Sequence, residues 1–202
     1  MTLVDRINSA ARKVPTWALY ILGVLPLPWL LYLGQTGGLG REPIKALEQE
    51  LGLIALQLLI AGLAITPLRQ RLGINLIRFR RAIGLLAFFY VACHLLVWVV
   101  LDMSLLWGQM WADILKRPYV TVGMAAFLLL LPLAVTSNNL SVRRLGAAWR
   151  KLHKLVYLAT ILGAVHFIWL AKGFQIEPLL YLAAILGLLA LRLPATRRTQ
   201  RA

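Results

Sequence analysis

Six long runs of apolar residues restrict the fold of this chain more than any other feature. Each run is free of Asp, Glu, Lys and Arg, and short charged connections separate one run from the next. The runs cover 14–40, 51–68, 82–101, 118–142, 155–171 and 178–191. A helix that crosses a bilayer needs about 20 mostly apolar residues, with a minimum near 17. The first five runs meet this requirement, and the sixth reaches residue 193 if Arg192 extends its charge to the membrane surface.

The sequence therefore predicts an all-α integral membrane protein, a six-transmembrane helix bundle formed by one domain, 1–202. Backbone polar groups find no water inside a bilayer, so each span must satisfy them internally as a helix. The predicted spans are 15–34, 47–68, 82–101, 118–136, 153–171 and 178–193. Pro26 and Pro28 predict a kink in the first span. That span is expected to be retained, because its apolar run is too long for a signal peptide and no small-x-small cleavage site follows it.

The composition excludes several other classes of protein. Of the 202 residues, 60% are apolar and 14% are charged, against about 45–50% and 25% in soluble domains. Such a chain is not disordered. The net charge of +15 does not indicate a nucleic-acid partner, because the basic residues lie between apolar runs and not on one hydrated face. The single cysteine, Cys93, excludes an internal disulfide and a multi-cysteine metal site.

The distribution of basic residues predicts the orientation of the bundle. The segments on alternate sides of the predicted membrane hold 17 and 5 Lys and Arg residues. The positive-inside rule places the richer side, which includes both termini, in the cytoplasm. The positive charge is then explained by topology and by attraction to anionic membrane lipid.

Two of the three histidines lie inside predicted spans at matching depth. His94 follows Arg81 by 13 residues in the third span, and His166 follows His153 by 13 residues in the fifth. Both spans run outward, so each histidine lies about 20 Å above the cytoplasmic boundary. Two level imidazoles on different helices of a bundle are what bis-histidine haem ligation requires. His94 and His166 are therefore the candidate axial ligands of a haem iron.

His153 and Arg80 lie at the cytoplasmic ends of the same two spans. A spacing of 13 turns His153 about 140° away from His166 around a helix. His153 therefore either ligates the iron of a second haem or hydrogen-bonds a headgroup or a haem propionate. Arg80 does not ligate iron because arginine is always charged. It is either a positive-inside anchor or the partner of a haem propionate.

Two other interpretations of the histidines stay open at this point. Intramembrane histidines also form proton relays in small proton-coupled transporters, but such relays usually include Asp or Glu, and none of the six apolar runs contains either. Histidines that only hydrogen-bond between helices would suit a membrane anchor or an assembly factor. Zinc is disfavoured, because the only further candidate ligands nearby are Cys93 and Asp102, and Cys93 points about 100° away from His94.

Several stretches resemble the MsrQ family, also called YedZ, which is related to the ferric-reductase and NADPH-oxidase membrane domain. They are RFRRAIG at 78–84 leading to His94, KRPYVTVG at 116–123, WRKLHKLVY at 149–157 continuing to His166, GGLG at 37–40 and ITPL at 65–68. The resemblance implies one or two b-type haems, with His94, His153 and His166 as the haem histidines. Relatives in the oxidase branch pair histidines 14 apart on both helices, whereas this sequence has Arg80 at the lower position of the third span.

The family is the haem-binding membrane subunit of a bacterial periplasmic methionine sulfoxide reductase system. The resemblance thus implies an electron-transfer subunit of the inner membrane that performs no substrate chemistry itself. Electrons would come from the quinone pool or from a cytoplasmic flavin reductase. They would pass outward to a periplasmic, molybdenum-containing MsrP-type subunit that reduces oxidised methionines in proteins. Family members are also described with FMN, for which these residues indicate no site.

Overall fold

The computed structural model describes residues 1–171 and 175–192, and throughout these residues the regular structure is helical. Its α-helices are α1 (Leu3–Lys13), α2 (Thr16–Val24), α3 (Pro26–Gln35), α4 (Pro43–Leu72), α5 (Arg80–Val97), α6 (Trp107–Lys116), α7 (Pro118–Val135), α8 (Asn139–Leu145), α9 (Ala147–Leu152), α10 (Leu155–Leu170) and α11 (Ile176–Ala190). The last residue of the predicted sixth span, Leu193, lies outside the described residues, as do Lys172, Arg197, Arg198 and Arg201 of the charge count.

Five helical segments among these residues are long and apolar enough to cross a membrane. They are Thr16–Gln35, Pro43–Leu72, Ile77–Asp102, Pro118–Val135 and Ala147–Leu170. The predicted sixth span corresponds to α11, an apolar helix of 15 residues. The chain is therefore a helical membrane protein, and the crossing of α11 stays a prediction.

The predicted kink in the first span is present. α2 ends at Val24 and α3 begins at Pro26, because proline has no N–H to donate to the preceding turn. Just before this break, the carbonyl of Gly23 accepts a hydrogen bond of 2.7 Å from the hydroxyl of Tyr90. Tyr90 is fully buried, so this bond satisfies its hydroxyl and ties α2 to α5.

Four helices form the centre of the bundle. α4 packs along α5, α7 packs along α10, and contacts of α5 with α7 and of α4 with α10 join the two pairs. Small residues line these contacts, since Ala55, Ala87, Ala159 and Ala164 are all buried. Small side chains let helix backbones approach closely inside a membrane. α2 and α3 flank the first pair, and α11 flanks α10 and α4.

α4 is longer than the predicted second span. It runs from Pro43, a residue type favoured in a first helical turn, to Leu72, and Gly73 ends it with a φ of 72°. The extension adds residues 43–46 before the predicted span and residues 69–72 after it. The backbone of Glu48, near the start of this helix, lies level with His94.

The bundle has two chemically different ends. At one end, called the basic end below, α4 finishes and α5 begins among arginines; at the other, called the distal end, α5 finishes and α7 begins. α6 lies at the distal end with Met110 buried and Trp107 and Trp111 exposed. Trp98, a residue suited to an interfacial aromatic belt, is instead buried in a π-helical turn, Trp98–Asp102, that continues α5.

Candidate functional site

The rings of His94 and His166 lie side by side near the distal end of the bundle. Their centroids are 6.1 Å apart and their planes are nearly perpendicular, at 83°. His94 lies on α5 and His166 on α10, and both are partly buried. The structure thus brings together the two histidines for which the helix rise predicts the same depth in the membrane.

A backbone carbonyl of a neighbouring helix holds each ring. Nδ1 of His94 lies 2.8 Å from the carbonyl oxygen of Glu48 on α4, and Nδ1 of His166 lies 2.7 Å from that of Tyr119 on α7. A carbonyl oxygen only accepts, so Nδ1 of each ring must carry the proton and donate it. In a neutral ring this tautomer leaves Nε2 unprotonated, with a lone pair that a metal ion can bind.

A glycine makes room for each ring. Gly52 lies one turn after Glu48, and Gly123 lies one turn after Tyr119. A Cβ at Gly52 would lie 3.1 Å from Nδ1 of His94, and a Cβ at Gly123 would lie 2.8 Å from Nδ1 of His166. Sequence reasoning missed both glycines, because neither stands out until the helix pairs α4–α5 and α7–α10 are known.

The donor set of this pair fits an iron that brings its own equatorial ligands. If two imidazole nitrogens each lie about 2 Å from one metal ion, their ring centres are roughly 6 Å apart, which agrees with the observed 6.1 Å. Within the described ranges no group of three or more His, Cys, Asp or Glu residues could hold a metal ion. Two protein ligands alone do not complete a metal site of the usual kind, but two axial imidazoles complete a haem.

His153 lies apart from the pair and is held differently. It follows α9, in the turn that precedes α10, and its ring stacks on Trp149 with centroids 3.9 Å apart. The hydroxyl of Thr136 donates to the carbonyl of Pro132 at 2.6 Å. That hydroxyl therefore accepts from Nε2–H of His153, which lies 3.0 Å away. Nε2 of His153 thus donates to a protein partner, whereas among the described residues Nε2 of His94 and Nε2 of His166 make no hydrogen bond.

Arg80 lies at the basic end, far from the histidine pair. It begins α5, and 14 residues of helix separate it from His94 by about 21 Å. Its side chain is exposed. The structure brings neither Arg80 nor His153 near the pair.

Comparison with known proteins gives a consistent result. The family model described as "Ferric reductase like transmembrane component" matches residues 49–164. The protein-methionine-sulfoxide reductase heme-binding subunit MsrQ of Agrobacterium fabrum is 50% identical over 177 residues, which are 88% of this chain and 82% of that protein. The protein of the same name from Rhizobium meliloti is 53% identical over 176 residues, 87% of this chain and 82% of its own. No solved structure matches the chain.

Proposed function

The chain belongs to the MsrQ family within the ferric-reductase-like transmembrane components, and on that premise we propose that it is the b-type haem electron-transfer subunit of a protein-methionine-sulfoxide reductase system. The observation that carries the proposal is the pair formed by His94 and His166. Their rings are 6.1 Å apart, and both Nδ1 atoms hydrogen-bond to backbone carbonyls. Both Nε2 atoms are thereby left for iron.

In this proposal His94 and His166 would hold the haem iron through Nε2, and neighbouring groups fix the orientation of both rings. The carbonyls of Glu48 and Tyr119 hold the rings and increase the basicity of the ligating nitrogens, as outer-shell acceptors do for metal-bound histidines. A bound haem supplies reversible one-electron chemistry at its iron. His153 and Arg80 lie outside this site, so they are assigned no ligand role in it.

We further propose the direction of electron flow. The pair lies near the distal end, and the positive-inside rule places the basic end in the cytoplasm of a bacterial inner membrane. Electrons would enter from the quinone pool or a cytoplasmic flavin reductase and leave to a periplasmic, molybdenum-containing MsrP-type subunit. This partner assignment and the binding of FMN are supported only by the family resemblance.

The transporter alternative is less well supported by the geometry. Nδ1 of each ring donates to a main-chain carbonyl. A backbone carbonyl does not take up a proton, so these contacts orient the rings without extending a relay. The arrangement is typical of ligand positioning.

The test is a visible spectrum of the purified full-length protein, oxidised and then reduced with dithionite. We expect a Soret band that shifts on reduction, and we expect His94→Ala and His166→Ala each to lower haem content at least tenfold. His153→Ala is the matched control and should retain the haem. A colourless wild-type protein, or a spectrum unchanged in both pair variants, would refute the proposal.

A further inference from the structure

A cavity at the basic end of the bundle combines two arginines with two hydroxyl groups. Its volume is about 280 Å³, and it is lined by Thr16 and Tyr20 of α2, Arg78, and Arg81 and Ala82 of α5. No carboxylate lines it. The cavity lies about 20 Å along α5 from His94, and nothing in the proposed electron transfer makes use of it.

Neutral groups hold both arginines in place. Arg78 donates to the carbonyls of Ala11 and Arg12, at 3.3 and 2.7 Å, where α1 ends. Arg81 donates to the side-chain oxygen of Asn139 at 2.8 Å. A guanidinium group has five N–H donors, so each arginine keeps donors for a further partner. Neither is neutralised by these contacts.

The hydroxyl groups of the cavity are also available. Within the described part of the chain, the hydroxyls of Thr16 and Tyr20 make no hydrogen bond. Each is able to donate one. An oxygen anion in the cavity would therefore meet charged and neutral donors together.

The chain supplies almost no negative charge at this end. Of its seven acidic residues, Asp5 alone lies there, and the backbone N–H and the hydroxyl of Thr2 already bind its carboxylate at 2.9 and 2.8 Å. Like charges held beside an apolar medium are costly unless an opposite charge joins them. The described residues that line the cavity offer Arg78 and Arg81 no counter-charge, so a bound anion would supply one.

We propose that this cavity binds the phosphate of an anionic phospholipid headgroup. Thr16 is the first residue of α2 and Arg81 lies in the first turn of α5, so the cavity lies where the spans begin, at headgroup level. Along α2 the side chains of Trp17, Ile21 and Leu22 are exposed and offer an apolar surface for acyl chains. The planar fork of arginine matches the geometry of phosphate oxygens.

The experiment measures lipid retained by the full-length protein in detergent micelles, using native mass spectrometry. The probes are phosphatidylglycerol, which is anionic, phosphatidylcholine, which has no net charge, and inorganic phosphate. We expect wild-type protein to retain phosphatidylglycerol preferentially. Arg81→Gln should lower that retention about tenfold, the usual effect of losing one charge-assisted contact. Arg144→Gln is the matched control, because Arg144 is exposed at the same end and does not line the cavity.

Equal retention of phosphatidylglycerol by Arg81→Gln and Arg144→Gln would overturn the proposal. Displacement of the lipid by millimolar inorganic phosphate would overturn the lipid as the occupant. If Arg81→Gln fails to fold, the double variant Thr16→Val with Tyr20→Phe removes two donors without altering charge, and it too should bind less phosphatidylglycerol. The haem spectrum should be unchanged in all these variants, so this inference fails or stands independently of the proposed function.

Discussion

Gly123 is the residue whose missing side chain most directly determines how His166 is held. A Cβ at this position would lie 2.8 Å from Nδ1 of His166, closer than real Cβ atoms pack. We therefore expect Gly123→Ala to displace the ring and to break its hydrogen bond to the Tyr119 carbonyl. Haem content, measured from the Soret band of purified protein, should fall at least tenfold.

A second glycine provides the control for that experiment. A Cβ at Gly84, on α5, would meet nothing within 4 Å. Alanine also favours a helix by about 1 kcal/mol relative to glycine, so Gly84→Ala should keep its haem and unfold at an equal or higher temperature. Full haem content in Gly123→Ala would show that the glycine does not constrain the ring.

The two histidine hydrogen bonds are accepted by the backbone carbonyls of Glu48 and Tyr119. The side chains of these two residues are therefore dispensable for ligand positioning. Glu48→Gln and Tyr119→Phe should therefore each retain haem content within about twofold of wild type, because neither change removes a main-chain oxygen. The same purified-protein spectra measure this. A large loss of haem in Glu48→Gln would instead assign the carboxylate a direct part in the site.

The positions of His94 and His166 were accessible from the sequence, but their surroundings were not. Counting residues from flanking charges gives the depth of a histidine in a helix, because the rise per residue is constant. Gly52 and Gly123 contribute from other helices, and which face they present depends on how those helices pack. The depth of a histidine depends on its own helix alone, whereas the environment of its ring depends also on the helix packed against it.

α6 is an amphipathic helix that presents an aromatic stripe. Trp107, Trp111 and Leu115 follow one another at intervals of four and are 64%, 65% and 80% exposed, while Met110 on the other face is buried. Such a helix lies in the membrane interface with its aromatic residues at headgroup level. We expect brominated lipids to quench the fluorescence of Trp111.

Single replacements in lipid vesicles test the placement of α6. Trp111→Phe should remove a lipid-quenched part of the total tryptophan emission, whereas Trp98→Phe, at a buried position, should remove emission that brominated lipid quenches less. Equal loss of quenchable emission in both variants would contradict an interfacial α6. Loss of quenching on adding a soluble partner would place α6 in a protein interface instead.

At the level of elements, the sequence predicted the break within the first span better than it predicted the length of the helix in the second. The kink at Pro26 follows from a missing N–H, which is a local cause. α4 starts at Pro43, four residues before the predicted start at 47, because hydropathy marks only the apolar part of a helix and a helix tolerates lysine readily. His153 and His166 do not share one helix, because the chain turns at His153 and Lys154 between α9 and α10.

The whole molecule contains two similar helix pairs around the proposed haem position. In the pair α4–α5, the carbonyl of Glu48 accepts a hydrogen bond from His94, which lies 46 residues later in the chain. Gly52, one turn after Glu48, makes room for the ring. In the pair α7–α10, Tyr119, Gly123 and His166 form the same arrangement, and Tyr119 and His166 are 47 residues apart. Each pair presents one imidazole from its second helix, so the two ligands approach the shared position from different pairs. This similarity is one of contacts, and the residue types around it differ too much for the sequence alone to indicate it.

The sidedness of the bundle is the last property that the charge distribution predicts. With the basic end in the cytoplasm, Ser9 of α1 lies inside the cell and Gly108 of α6 lies in the periplasm. A cysteine at either position reports this, once the native Cys93 has been replaced by alanine. We expect a membrane-impermeant maleimide to label Gly108→Cys in intact cells and to label Ser9→Cys only after the inner membrane is opened. The opposite pattern would place the histidine pair near the cytoplasm and would rule out direct electron delivery to a periplasmic partner.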